Sequence, residues 1–357
     1  MSPWLTHALL IGVAATLTSA LFTPVAIGLS QRFGLVARPG GRRQHTGEIP
    51  RLGGLPLLVG LGVGWALTAW LAPLTNPDDQ LRILGIVTGT VLIALFGLLD
   101  DRFDLPPLPQ FALQTIPALI AIATTVFIER FTNPLTGQLI VLPLWVVIPV
   151  TWFWILGMIN TVNWLDGLDG LVTGVSLIAA LLFAAHMHSL GQPELALYAV
   201  ALAGACLGLL PFNFYPARIF LGGTGPLILG YTLATLSIIA PARYAIALLV
   251  LAVPITDTAW QIFDRWRRGK SPMSGDRGHL HFRLLDAGLT QRQIVLAYWA
   301  FCAVFGTLSL VLSSPLAKFL ILLSVALILV AVLGFLAFGG RAQHPRRQPK
   351  DDRGHAE

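Results

Sequence analysis

Stretches of about twenty residues with few or no charges recur along this chain, and they constrain its fold more than any other feature. Such a stretch is the length a helix needs to cross the hydrocarbon core of a bilayer. Eleven of them fall near 4–29, 53–74, 81–99, 111–128, 139–159, 171–187, 195–212, 219–240, 244–262, 294–312 and 315–338. At roughly 20 residues each they use about 220 residues and leave short loops. Of the 357 residues 55% are hydrophobic and only 11% charged, and the mean hydropathy is +0.75. That composition excludes an ordinary soluble domain, and no sizeable domain fits outside the membrane. The expected architecture is all-α and polytopic, with about eleven transmembrane helices in one domain over 1–338. The polar segment 339–357 lacks apolar periodicity and reads as a disordered tail.

The formal charge of +6 raises nucleic acid as a partner, but the placement of the charge points elsewhere. If the apolar stretches all cross, 19 of the 23 Lys and Arg residues share one side, and only Arg82, Arg130, Arg243 and Lys318 lie on the other. The positive-inside rule then puts the N-terminus outside and the C-terminus in the cytoplasm, with no nucleic acid involved. The first segment has its basic residues after it, which reads as an uncleaved signal anchor. Cys206 and Cys302 both lie in apolar runs and read as small buried hydrophobes, with no disulfide framework. Tryptophans near span ends, such as Trp4, Trp70, Trp164 and Trp266, fit interfacial anchoring or plain packing equally well.

The outer connections, including the stretch around Glu129, read as short and nearly featureless. The unusual residues gather on the cytoplasmic side, unlike a carrier, whose polar path would reach both faces. Asp100, Asp101 and Asp104 follow span three, and Asp100 and Asp104 share a face if the helix continues. Three carboxylates this close suit Mg²⁺ or a proton-accepting base, or are a solvated acidic loop. Asn160, Asn163, Asp166 and Asp169 recur every third residue, with Gly167 and Gly170 between them. These are hard oxygen donors suited to Mg²⁺ and sugar hydroxyls, in a register a purely structural turn would not need. In the 264–293 loop His279 and His281 are flanked by Arg277 and Arg283, a set able to grip a diphosphate. Zinc would require a further ligand. Asp257, near the end of span nine, is a carboxylate that membrane burial makes a functional candidate. His45 sits in a basic loop ahead of Ile49-Pro50-Arg51-Leu52-Gly53-Gly54. Acidic and basic clusters at one membrane face suit phosphoryl transfer from an anionic cytosolic substrate to a lipid.

Four motifs in order, RxxHxxxIPRLGGL (42–55), DDRFDL (100–105), NxxNxxDGxDGLxxG (160–174) and DRGHLHxRLLDAGLTQRQ (276–293), resemble the polyprenyl-phosphate N-acetylhexosamine-1-phosphate transferases of glycosyltransferase family 4. The resemblance implies transfer of a sugar-1-phosphate from a UDP-N-acetylhexosamine to undecaprenyl phosphate at the plasma membrane, releasing UMP, with Mg²⁺ as cofactor. The form of the motifs is closer to the GlcNAc-1-phosphate branch than to the muramoyl-pentapeptide branch. By the same resemblance Asp100 is the base, with Asp101 and Asp104 completing the acidic cluster, and Asn163 holds Mg²⁺. Asn160, Asp166 and Asp169 organise the nucleotide sugar, while Arg277, His279, His281, Arg283 and His45 contact substrate. A homodimer is a possible assembly.

Four positions depart from the family pattern. Where the family has Gly-Asp-x-Gly-Ser with a metal-binding Asp, this chain has Gly222-Gly223-Thr224-Gly225-Pro226; where it has a Lys, this chain has Gln110. Ala37 stands for an Asp, and Phe282 for the second of two adjacent histidines. The alternative these departures raise is a family member with altered or lost catalysis that binds UDP-sugar and lipid.

Overall fold

The computed structural model describes residues 2–37, 47–239, 244–271 and 278–339. The chain begins with α1 (Pro3–Arg32), then the short paired strands β1 (Val36–Ala37) and β2 (Ile49–Pro50), then α2 (Gly54–Leu71), α3 (Pro77–Phe103) and α4 (Pro107–Ala123). The strands β3 (Arg130–Thr132) and β4 (Leu139–Val141) precede α5 (Leu144–Leu165), α6 (Leu171–Ser189), α7 (Pro193–Asn213) and α8 (Thr224–Ile239). There follow α9 (Tyr244–Val250), α10 (Ala252–Arg267), α11 (Leu280–Asp286), α12 (Gln291–Val311) and α13 (Pro315–Gly339).

Among the described helices α1, α2, α3, α5, α6, α7, α12 and α13 are long and apolar enough to cross a membrane, and α4 and α8 are shorter apolar helices. The protein is an all-α, multi-pass membrane protein. Local chemistry sets the helix starts. Ser2 accepts from the Leu5 N–H ahead of Pro3, Asn76 from the Asp78 N–H ahead of Pro77, and Thr290 forms a capping box with Gln293. Helix α3 stops where Asp104 turns into the left-handed conformation (φ 49°) and Pro106-Pro107 follow.

Small residues let α1, α2 and α7 pack backbone to backbone, as lipid-embedded helices do. A Cβ at Gly204 would lie 2.5 Å from the Gly12 carbonyl, and one at Gly208 would lie 2.2 Å from that of Thr16. Every residue of α8 is buried, so this helix is the central post of the bundle, packed against α5 and α3.

Three expectations change. The span expected over 244–262 is divided at Leu251 into α9 and α10, because Pro254 has no N–H to return to the Val250 carbonyl. The outer stretch after Glu129 is not featureless: β3 and β4 pair antiparallel, Arg130 opposite Val141, and Asn133 closes the turn by accepting from the Leu135 and Thr136 N–H groups. Those strand residues displace the expected 139–159 span, so that α5 starts at Leu144 after Pro143. The tail from 340 onward lies outside the described residues.

Candidate active site

The site gathers around the N-terminus of α8. Asp101, in the last turn of α3 and 9% exposed, fills the role that α8 lacks from its own sequence. Its Oδ1 accepts from the Gly223 N–H (2.7 Å), and its Oδ2 accepts from the Thr224 N–H (3.0 Å) and hydroxyl (2.7 Å). Those are the first orphan donors of a buried helix, so the carboxylate caps α8 from another element. Arg51 adds its guanidinium at 3.5 Å. It is brought there by backbone pairing: Phe220 N–H donates to Pro50 O (2.8 Å), and Gly53 N–H to Phe220 O (2.9 Å). The Ile49–Gly54 segment is thereby a strap across the start of α8. Gly222 is required in it, since φ is +71° and a Cβ would stand 2.1 Å from the Arg51 carbonyl.

Asp100 differs from its neighbour. It is half-buried, and its Oδ1 accepts from Gln110 Nε2 (2.6 Å) and the Leu105 N–H (3.1 Å). Its Oδ2 accepts no hydrogen bond among the described residues and faces Gly223, where a Cβ would be 2.8 Å away. Asp104 does not share this face. Having left the helix, it is exposed and its carboxylate accepts no hydrogen bond among the described residues.

One turn beyond Gln110 on α4, buried Gln114 accepts from Asn160 Nδ2 (2.8 Å), which also donates to Leu156 O (2.8 Å). Asp100, Gln110 and Gln114 line one small cavity with Phe96, Leu105 and Leu113. The α4 glutamines thus join the acidic pair to the Asn160–Gly174 motif. Within that motif Asn163 is half-buried near the end of α5, and Asp166 is the exposed residue ending that helix. Asp169 ties the loop to the α7–α8 connection by accepting from the Ala217 N–H (3.0 Å).

The basic motif meets the same loop. His281 is fully buried, and a Cβ on Gly167 would come within 2.2 Å of its Nε2. His279, 6% exposed, lies 2.9 Å from Asp257 through Nδ1 and 3.5 Å from Arg265 through Nε2. The Arg265 guanidinium stands over the Trp164 ring at 5.4 Å. Arg283 is half-buried and donates from Nε to Gly278 O (2.5 Å). Neither histidine faces solvent, which departs from the expectation of direct substrate contact. His45 and Arg277 lie outside the described residues.

The residues present do not build a magnesium cage. Both oxygens of Asp101 are engaged by Arg51, Gly223 and Thr224, residue 223 carries no side chain, and no three His, Cys, Asp or Glu residues gather to hold a metal among the described residues. Asn163 offers one neutral amide oxygen, a weak donor for a hard cation on its own.

Sequence reasoning gave no role to four groups. Gln114 was signalled by a second Gln one turn after Gln110 in an apolar segment. Arg51 and Arg265 were hidden among arginines that topology alone explains, and Thr224 reads as an ordinary helix residue. The family model of glycosyl transferase family 4 matches residues 83–241. The chain is 31% identical over 309 residues to the probable undecaprenyl-phosphate N-acetylglucosaminyl 1-phosphate transferase of Bacillus subtilis, covering 85% of this chain and 84% of the relative. It is 34% identical over 366 residues to the decaprenyl-phosphate N-acetylglucosaminephosphotransferase of Mycolicibacterium smegmatis, covering 93% and 90%. It is 32% identical to a phospho-N-acetylmuramoyl-pentapeptide-transferase of Moorella thermoacetica, covering 84% and 96%. With relatives at this identity matched over most of both chains and the family model over residues 83–241, the chain belongs to glycosyl transferase family 4 and is a membrane transferase of that family.

Proposed function

We propose that this protein transfers N-acetylglucosamine-1-phosphate from UDP-N-acetylglucosamine to undecaprenyl phosphate, releasing UMP. An oxygen of the lipid phosphate attacks the sugar-bearing phosphorus of the nucleotide sugar. The bond from that phosphorus to the UMP oxygen breaks, and the product is a lipid diphosphate sugar. The observation that carries the reading is the open Oδ2 of Asp100 beside a fully engaged Asp101. Asp100 is the group positioned to take the proton of the lipid phosphate, and Gln110 orients it. Asn160, Asp166 and Asp169 present amide and carboxylate oxygens to the sugar and ribose hydroxyls, and Arg283 is the cation for the diphosphate, with Arg277 its partner by sequence. The names of the relatives support the GlcNAc donor and a polyprenyl phosphate acceptor.

In this reading the chain crosses the plasma membrane eleven times. Helices α4 and α8 and the α9–α10 pair add three crossings to the eight longer helices. The N-terminus is outside and the site lies at the cytoplasmic face, where 19 of the 23 basic residues fall.

The test uses detergent-solubilised protein with undecaprenyl phosphate and a panel of UDP-N-acetylhexosamines, in Mg²⁺ and in EDTA, following UMP and lipid-linked product. UMP and lipid-linked GlcNAc forming together is the expected result. UDP-GlcNAc binding without UMP release would overturn the reading in favour of a family member that has lost its chemistry.

A further inference from the structure

Asp257 belongs to none of the substrate contacts above, yet it sits on a polar stripe of α10 that runs through Asp257, Gln261, Asp264 and Arg265, each 3% exposed or less. Three of these four side chains close on a three-residue segment. Asp257 Oδ1 accepts from the Leu280 N–H at the start of α11 (2.9 Å), Gln261 Nε2 donates to Gly278 O, and Asp257 and Arg265 stand on opposite nitrogens of the His279 ring. A carboxylate accepts and a guanidinium only donates. The ring between them therefore carries its proton on Nδ1, given to Asp257, and turns the lone pair of Nε2 toward Arg265. This tautomer is assigned from the partners.

From this geometry we infer that Asp257 is a positioning residue: it fixes the tautomer of His279, and His279 in turn holds the Arg265 guanidinium over Trp164. Trp164 lies between Asn163 and Leu165 at the end of α5, so the pose of Arg265 sets the pose of the loop that carries Asp166 and Asp169. The parallel stacking of His279 on His281 (5.6 Å, 10°) extends the same brace to Gly167. His279 is an internal strut between a carboxylate and a cation. Its effect on turnover rests on the proposed transfer reaction, whereas its tautomer does not.

Asp257→Asn is nearly isosteric and separates these roles. The amide oxygen can still accept from Leu280 N–H, but the amide then offers N–H groups to Nδ1. The ring is driven to the Nε2–H form, which meets the donors of Arg265 head-on. The experiment reads the ¹⁵N shifts of ¹⁵N-histidine-labelled protein in detergent, with His279 identified by difference from His279→Gln. It also reads KM for each substrate.

The expected result is Nδ1–H in the parent and in Asp257→Glu, and Nε2–H in Asp257→Asn. With it, KM for UDP-GlcNAc rises about tenfold or more while KM for undecaprenyl phosphate stays within about twofold. Adding Arg265→Gln to Asp257→Asn should cost less than about a further threefold, since the two act through one path. An Nε2–H parent, or a tautomer unmoved in Asp257→Asn, overturns the inference whatever the activity. An inverted tautomer with an unchanged KM for UDP-GlcNAc overturns the link to the loop. If the parent shows no turnover, the proposed reaction fails, and the dissociation constant of UDP-GlcNAc by equilibrium dialysis replaces KM in the same comparison.

Discussion

Asp101 and Asp257 are both buried carboxylates that accept the first N–H groups of another helix, α8 in one case and α11 in the other. Each also faces a basic group, Arg51 or His279. They differ in what stands beside them. Next to Asp101 is Asp100, half-buried, with one oxygen that accepts no hydrogen bond among the described residues. The carboxylate of Asp257 instead has one oxygen on His279 Nδ1 and the other on the Leu280 N–H. A carboxylate with both oxygens held by fixed donors serves as architecture, whereas a neighbour with an oxygen left unbonded keeps a lone pair available to accept a proton. The acidic end can therefore do chemistry, while the basic end holds a loop in place.

The sharpest way to break this contrast is to neutralise the two adjacent aspartates separately. In Asp100→Asn the amide oxygen keeps the Gln110 and Leu105 hydrogen bonds, so the fold should survive. UMP release should fall by about 10²- to 10⁴-fold, the usual worth of a positioned base. Turnover within about threefold of the parent would remove Asp100 from the mechanism. Asp101→Ala should instead act on stability. It strands the Gly223 and Thr224 donors and leaves Arg51 facing no charge, at a cost of about 3–5 kcal/mol, read as a lower midpoint in thermal unfolding. If Asp101→Ala is as stable as the parent, the capping role assigned to it is wrong.

That division of labour could not be read from the sequence, where Asp100 and Asp101 are simply adjacent. Which one turns toward α8 depends on a packing contact between residues more than a hundred positions apart. The membrane helices were legible because lipid imposes one length and one composition on each. The break at Leu251 had its signal in Pro254, and the β3–β4 turn had its own in Asn133-Pro134-Leu135-Thr136-Gly137, but an apolar window averages over both. Asp257 stood out as a carboxylate in an apolar run. Its partner His279, 22 residues on, did not, because the pairing is made by the fold across the 264–293 loop.

A finer test of the acidic end puts a carboxylate back beside Asp100. Gly223 does not adopt a left-handed conformation, and the contact its Cβ would make is with the mobile end of the Asp100 side chain. Gly223→Asp should therefore fold. Two carboxylates this close repel each other without a counter-ion, so its unfolding midpoint in EDTA should drop by a few degrees. Mg²⁺ at about 100 times its dissociation constant should return about 2.7 kcal/mol by mass action. The parent, lacking that donor, should show no comparable rise. An equal rise in the parent would mean that the chain gathers cation ligands without a side chain at 223.

The smallest expected effect concerns the join between the two halves. Gln110 serves Asp100 and Gln114 serves Asn160, one turn apart on the same helix. Gln114→Leu keeps the volume and removes one buried acceptor. Asn160 retains its bond to Leu156 O, so the loss should be about 1 kcal/mol of stability. In kinetics it should fall on the UDP-GlcNAc side, as a raised KM, whereas Gln110→Leu should fall on kcat by releasing the Asp100 carboxylate. If α4 only holds each partner in place, the two changes add. A coupling in the double variant beyond about 0.5 kcal/mol would show instead that the base and the nucleotide-sugar loop move together through this helix. The acidic and basic ends would then be one mechanical unit, and the contrast between a reacting end and a holding end would have to be redrawn along α4.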